Sequence, residues 1–519
     1  MRRAALATAS AAASAVGLSI YTVARTHDVE SPISSSAPLP FAAASIVWGH
    51  WLDHIYSMIA GYGRGALHFS TGGWGDVTAA VEGVHWMRAM RKPVSLVGDH
   101  KVEWLGEWAE GERGVWFRDG TFLSPIARPP ADGGLGREFA ARLLNEESLR
   151  CHFRYVVPAS CLARKDDRIS GDATAESGPS TGSAPVPVAL ILACSGDQGF
   201  KWRDAHFATP LAKEHGVASI VIENAFYGAR RPAQKTVRGA QIDAASDIVA
   251  GGLAVLPEST ALLDWLTVDG GEGSGLALGV HQNARRCVSG ISLGGIFGSL
   301  MACSCATRHP FDLVAVLPSP SAAEVYTKGS LSKVCDFGAL GRDAAALETV
   351  QRALVLDTLK RGALNEQALS DGDAEKAVDC RLKLELRSES AYDRGVRFAT
   401  AFLDATSHIA NLPAPFAHIA QPQSAVCAAG ATVPSPSKLV IIGAIDDAYI
   451  PAEQTAALAE RWTAMNDRKA YNVTLRWWLG GHCSTVLTKK HAVRSAIAEC
   501  LLGDGASVAG AKKKKKEEE

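Results

Sequence analysis

Ser292, His482 and a carboxylate in the pair Asp446-Asp447 are the side chains whose types and chain order suit nucleophilic acyl transfer. A serine hydroxyl is a weak nucleophile at neutral pH. It needs an imidazole to take its proton, and the imidazole needs a carboxylate to fix its tautomer. Ser292 lies in Gly290-Ile291-Ser292-Leu293-Gly294, between a short apolar run and a helix-like stretch from Ile296 to Ala302. A strand, a G-x-S-x-G turn and a helix in that order form a nucleophile elbow. The glycines are required because the serine sits in a strained turn, where flanking side chains would collide. An ordinary glycine turn spells the same letters, and this chain has 49 glycines, so the partners and their order decide the matter.

The partners follow in order. Asp446 and Asp447 come after the apolar run Lys438–Ile442, and His482 comes after Asn472–Trp478 through Leu479-Gly480-Gly481. The acid of such a triad is commonly followed by two residues, a β-branched residue and proline. Asp447-Ala448-Tyr449-Ile450-Pro451 fits, whereas Asp446 is one out of step, so Asp447 is the favoured acid. Singly, His482 is a turn histidine. Three placements in the required order carry more weight than any one. Two backbone N–H groups must receive the developing oxyanion. One belongs to Leu293, and the other to the turn Cys194–Gly199, at Gly196 or Asp197. Each such donor contributes about 3–4 kcal/mol in the transition state. The blander role for Asp197 is a turn residue capping the next helix. His50 and His54 lie one helical turn apart, yet no acidic general base separates them in the zincin pattern. No metal and no cofactor is expected.

The elements that must hold these residues read as strands alternating with helices. Gly120–Pro125 and Phe153–Pro158 suit opening antiparallel strands. Val188–Ala193, Ala218–Ile222, Arg286–Ser289, Phe311–Leu317, Lys438–Ile442 and Asn472–Trp478 are apolar runs separated by helical patterns. Those patterns include Pro210–His215, Val237–Leu266, Pro451–Arg468 and Ala492–Leu502. Such alternation means βαβ units and a mainly parallel sheet with flanking helices, the α/β-hydrolase fold. The expected organisation begins with a targeting segment, 1–30, and an aromatic-rich N-terminal helical region, 40–95. The hydrolase core follows in two parts, 110–335 (with a flexible loop at 165–187) and 401–503. A helical insertion or cap, 336–400, separates them, and a charged tail closes the chain at 504–519. A second loop spans Gln421–Ser437, rich in proline.

Composition narrows the class. The chain has 519 residues, 47% of them hydrophobic, and a formal net charge of -1, which gives no support for nucleic-acid binding. Eleven dispersed cysteines without a C-x-x-C pair suit free thiols in a reducing compartment. Arg2 and Arg3 precede an Ala/Ser-rich apolar stretch, Ala4–Ala24, and no acid appears before Asp28. This describes a mitochondrial or plastid transit peptide. The stretch is also just long enough for a membrane anchor, the second choice. The tryptophans of the N-terminal region allow a membrane-surface contact, against the plainer role of a packed helical appendage. Oligomeric state is not encoded in any pattern here.

Taken together, Asp119–Pro125, Gly196-Asp197, Glu223–Arg230, Gly290–Gly295, Asp404–Asn411, Asp447–Pro451 and Gly480-Gly481-His482 resemble one family. It is the α/β-hydrolase-domain-containing protein eighteen family, over roughly 119–502. The resemblance implies serine-hydrolase chemistry, mitochondrial association and lipid as the substrate class. By matching positions it also implies Ser292, Asp447 and His482 as the triad. Departures occur where the family tends to carry histidine, here Ile296, and histidine with an aromatic residue, here Gln198-Gly199-Phe200. They lie beside the expected oxyanion site and bear on substrate preference and rate. The expected function is a serine hydrolase cleaving a lipid or small-molecule acyl ester through an acyl-enzyme. The alternatives are a catalytically silent fold used for binding or scaffolding, and an acyltransferase using the same triad.

Overall fold

The computed structural model describes residues 51–54, 67–90, 93–112, 114–162, 186–233, 242–266, 284–304, 307, 310–364, 390–407, 438–465 and 471–503. The expected targeting segment 1–30, His50, residues 165–185 of the first loop, Gln421–Ser437, His408–Asn411 and the 504–519 tail lie outside them.

Apolar runs become strands where both sheet faces are covered. Strands β5 (Val188–Leu192), β6 (Ala218–Ile222) and β8 (Asp312–Val316) are buried at every residue, as parallel strands between helical layers must be. With β1 (Glu103–Trp104), β2 (Ala109–Glu110), β3 (Val115–Leu123), β4 (Arg150–Pro158), β7 (Arg286–Ile291), β9 (Lys438–Ala444) and β10 (Asn472–Trp478) they form one ten-stranded sheet. The order is β1-β3-β4-β6-β5-β7-β8-β9-β10, with β2 paired to β3. The strands from β1 to β4 pair antiparallel, and β4 joins β6 antiparallel at Phe153↔Ile222. From β6 to β10 every pairing is parallel. The loops after β5, β7, β9 and β10 therefore emerge at one sheet edge, where an open α/β sheet places its site.

Helices α1 (Val77–Ala89), α2 (Thr209–His215), α3 (Ala245–Trp265) and α4 (Leu293–Ser304) precede β8. After it come α5 (Ala322–Thr327), α6 (Phe337–Arg342), α7 (Ala344–Leu364) and α8 (Ala391–Ser407), then α9 (Ala452–Ala464), α10 (His482–Thr488) and α11 (Lys490–Leu502). One sheet face carries α2 and α11, whose Leu211, Val493 and Ile497 pack with Ile191 and Val314. The other carries α3, α4 and α9. Helix α3 is apolar and long enough to cross a membrane, but 94% of its most apolar window is buried inside the protein. It begins at Ala245 rather than near Val237. The reason is local: Asp247 Oδ2 accepts the N–H groups of Asp243 at 2.9 Å and Ala244 at 3.0 Å, fixing the first turn there. Val237–Gln241 lie outside the described residues.

The N-terminal region and the insertion share one further layer. Helices α1, α7 and α8 pack together and on α3. Trp74 Nε1 donates to Leu340 O at 3.0 Å, and an Arg88 N–H donates to Ala405 O at 2.8 Å. The closest crossing is α6 on α8. A Cβ on Gly341 would strike the carbonyl of Ala391, and one on Gly395 the carbonyl of Phe337. The boundary expected at residue 400 falls inside α8, because Phe398, Ala399, Phe402 and Leu403 all enter the same core.

Candidate active site

Ser292 stands between β7 and α4 with φ +57°, the left-handed region that a non-glycine residue enters only under constraint. Its N–H donates to Val316 O at 2.8 Å, and its carbonyl accepts Ile296 N–H at 3.0 Å. The neighbouring glycines are explained by contact. A Cβ on Gly294 would sit 3.0 Å from the carbonyl oxygens of Leu192 and Ala193, and one on Gly290 would strike Gly294 backbone. The elbow thus presses against the end of β5. Ser292 is half-buried, and Leu293 opens α4, where the first N–H groups have no intrahelical acceptor.

Strands β9 and β10 run in register from Lys438↔Asn472 to Ala444↔Trp478, so their following loops meet. Ile445 N–H donates to Trp478 O at 3.0 Å and Asp446 N–H to Gly480 O at 3.1 Å, lacing those loops together. Asp447 Oδ1 accepts Tyr449 and Ile450 N–H groups, each at 2.8 Å. Its Oδ2 lies 2.7 Å from His482 Nδ1. A carboxylate there accepts, so Nδ1 carries the proton and Nε2 is left to take one. Of the two candidate acids it is Asp447, not Asp446, that meets the histidine. The Tyr449 ring covers the imidazole, centroids 4.9 Å apart. Burial acts to lower the His482 pKa, but the Asp447 charge and hydrogen bond, with Asp53, hold it above its ordinary value. Among the described residues Ser292 Oγ makes no hydrogen bond to His482. Such bonds are often long before substrate arrives.

Asp53 was not singled out by any sequence pattern. It is fully buried. Its Oδ2 accepts the N–H groups of His482 at 2.7 Å and Ala448 at 3.0 Å, and its Oδ1 accepts Cys483 N–H at 2.7 Å. The aromatic-rich N-terminal region therefore reaches the acid and base loops directly.

The loop after β5 is held by buried charge. Arg203 Nε donates to Asp197 Oδ2 at 2.6 Å, and its other N–H groups bond the carbonyls of Ile191, Ile222 and Gly199. Asp197 is thus a guanidinium partner, a role stronger than a turn cap, and the signal was an arginine six residues on. Its own N–H donates to Cys194 O at 3.3 Å. Glu223 accepts Gly199 N–H at 2.8 Å and Ala229 N–H at 3.0 Å, and Gln198 Oε1 accepts Gly228 N–H at 2.7 Å. Arg230 makes a two-pronged bond to Glu258 of α3, at 2.8 and 2.7 Å. These contacts account for the unusual Glu223–Arg230 block: it braces the turn at Gly196. Among the described residues no cluster of His, Cys, Asp and Glu could hold a metal ion.

Comparison with known proteins adds a family match. The family model described as alpha/beta hydrolase domain containing 18 matches residues 68–502. Among solved structures, acetyl xylan esterase 1 from a Thermoanaerobacterium species is similar at 12% identity, with TM-score 0.36, covering 82% of this chain and 96% of that one. An S-formylglutathione hydrolase from Agrobacterium tumefaciens is similar at 13% identity and TM-score 0.36, covering 77% of this chain and 99% of its own. A thermostable esterase from Pseudomonas putida gives 12%, 0.35, 77% and 85%.

Proposed function

The chain belongs to the alpha/beta hydrolase domain containing 18 family, and from that premise we propose that it is a serine hydrolase cleaving carboxylic esters through Ser292, His482 and Asp447. The observation that carries the reading is the strained Ser292 elbow beside β5, on the same sheet edge where His482 Nδ1 meets Asp447 Oδ2 at 2.7 Å. In the first half-reaction Ser292 Oγ attacks the ester carbonyl carbon while His482 Nε2 takes the hydroxyl proton. The tetrahedral intermediate collapses, the alcohol leaves with that proton, and an acyl-serine remains. Water then attacks the acyl carbon with the same base, releasing the acid and restoring Ser292. Asp447 holds the imidazole tautomer and stabilises the imidazolium formed in each half.

Leu293 N–H supplies one oxyanion donor. For the second, Gly196 is favoured over Asp197, since the Asp197 amide is already given to Cys194 O. Substrate class is inferred as a lipid acyl ester, on the family resemblance and the helical insertion after β8. Mitochondrial delivery through residues 1–30 is inferred from their Arg-bearing, acid-free composition. Deleting them from a tagged protein is expected to abolish import, and unchanged import would remove that inference.

The test is pre-steady-state kinetics with an acyl ester of a chromogenic alcohol. A burst of alcohol equal to the enzyme concentration, abolished in Ser292→Ala, is the expected result. A Ser292→Ala enzyme that still turns over would sink the reading. A panel of short-chain esters and phospholipids then ranks substrates, and preference for water-soluble acetyl esters would remove the lipid assignment.

A further inference from the structure

We propose that Asp53, far upstream of the catalytic loops, is a positioning residue of this site. It clamps the loop carrying Asp447 to the loop carrying His482 and sets a second negative charge against the imidazole. This rests on the serine-hydrolase reading above. It does not follow from the family comparison, whose match begins at residue 68.

The geometry starts at α10, whose first residue is the general base itself. Helix N-termini leave unsatisfied N–H groups, and the preferred device is an oxygen-bearing side chain at the N-cap. Here that position is Gly481, which has no side chain. Asp53 supplies the missing acceptor from elsewhere in the chain. It takes the N–H of His482 at 2.7 Å and of Cys483 at 2.7 Å. The same carboxylate takes the N–H of Ala448 at 3.0 Å, the residue next to the catalytic acid. One rigid group therefore fixes the backbone on both sides of the Asp447–His482 bond. The turn carrying it is anchored in its own right. His54 Nδ1 lies 3.1 Å from Ser330 Oγ and 2.9 Å from Lys333 Nζ, on the segment that follows α5. Ser330 N–H in turn donates to Ala448 O at 2.7 Å.

The charge matters as well as the clamp. The groups facing the His482 ring are Asp447, Asp53 and the Tyr449 ring, and the adjoining Cys483 thiol is pushed up by burial and by Asp53. Burial raises the Asp53 carboxyl, while the His482 charge and the donated N–H groups pull it back down. A second carboxylate favours the imidazolium, and so makes the neutral imidazole a stronger base. Removing it lowers the imidazolium pKa, so the acidic limb of kcat/KM moves to lower pH. Asp53 does not touch substrate in this scheme, so its loss falls on kcat rather than KM.

The experiment compares the full-length protein with Asp53→Asn and Asp53→Ala. Active sites are counted with a fluorophosphonate probe and kcat/KM is followed from acid to neutral pH. Asp53→Ala is expected to lower kcat per labelled site about a hundredfold, the effect of misplacing a catalytic group by about an ångström. Asp53→Asn keeps one acceptor oxygen, and about tenfold is expected. KM should stay within about threefold in both, and the acidic limb should fall by about one pH unit. A limb that stays in place, or a kcat per site within about twofold of wild type, overturns the proposal. Neither readout depends on how much of a variant folds, since both refer to labelled sites alone. Ser292→Ala separates the two levels. If it still labels or turns over, the hydrolase reading falls, and the role of Asp53 with it. If it is inert while the Asp53 variants match wild type, only the role of Asp53 falls.

Discussion

The two flanks of Ser292 both bury charge, but they pair it differently. On the β5 side each guanidinium meets a carboxylate: Arg203 with Asp197 and Arg230 with Glu258, the last pair wholly buried. The remaining guanidinium N–H groups go largely to carbonyls of Ile191, Ile222, Gly199, Glu223 and Ser148. Arginine does not titrate, so this cluster keeps one charge state and one shape. On the β9–β10 side two carboxylates, Asp447 and Asp53, flank a single imidazole, the one side chain here that gains and loses a proton near neutral pH. The difference teaches what each flank is for. The oxyanion donors must stay still while the charge before them changes, and the base must change its own charge twice in each turnover.

The sharpest way to break this contrast is at the acid. Asp447→Asn is expected to lower kcat about 10⁴-fold with the fold retained, because the imidazole loses its tautomer. Asp446→Asn should stay within about threefold on the same scale, since Asp446 does not meet the histidine. Equal losses in the two, measured as kcat per labelled site, would undo the assignment of Asp447. The static flank should fail differently. Glu258→Gln leaves Arg230 buried without its charge partner, and a loss of about 3–5 kcal/mol in unfolding free energy is expected. Activity per surviving site should remain near wild type. A large kcat defect with an unchanged Tm would mean that the pair acts in catalysis rather than in scaffolding.

Smaller effects sharpen the same comparison. Asp197→Asn should lower kcat about tenfold by loosening the turn at Gly196, without moving the acidic limb of the pH profile. A shifted limb would show that the two clusters are electrically coupled. The smallest effect concerns pH and stability. The folded-state pKa of His482 is held above its ordinary 6.5. The stabilisation from its protonated form is therefore fully present below the unfolded value and lost as pH rises through the folded one. The Tm difference between wild type and His482→Gln should shrink across that window. A difference that grows with pH would contradict the raised pKa.

How much of this was legible in the sequence depended on distance along the chain. The runs Ala218–Ile222 and Asn472–Trp478 are strands with those same ends, because a buried or closing strand is written in its own residues. The Ser292 turn and the Asp447 spacing are equally local, each a few residues of required geometry. What stayed hidden was written elsewhere. Asp53 lies 429 residues before the His482 amide it accepts, and a single aspartate among aromatic residues carries no period or spacing. Arg230 stood in a visible block, but its partner Glu258 sits on a helix that composition alone marks as apolar. Helix α8 overran the expected boundary at residue 400 because its apolar face meets α3 and α6, which no local pattern records.

The central claim is that Ser292 is the nucleophile, and peptide mapping after fluorophosphonate treatment tests it most directly. The account predicts one adduct, on the peptide carrying Gly290-Ile291-Ser292-Leu293-Gly294, formed faster as pH rises through the His482 limb and absent in Ser292→Ala. No adduct, an adduct on another residue, or labelling that survives the substitution would contradict it.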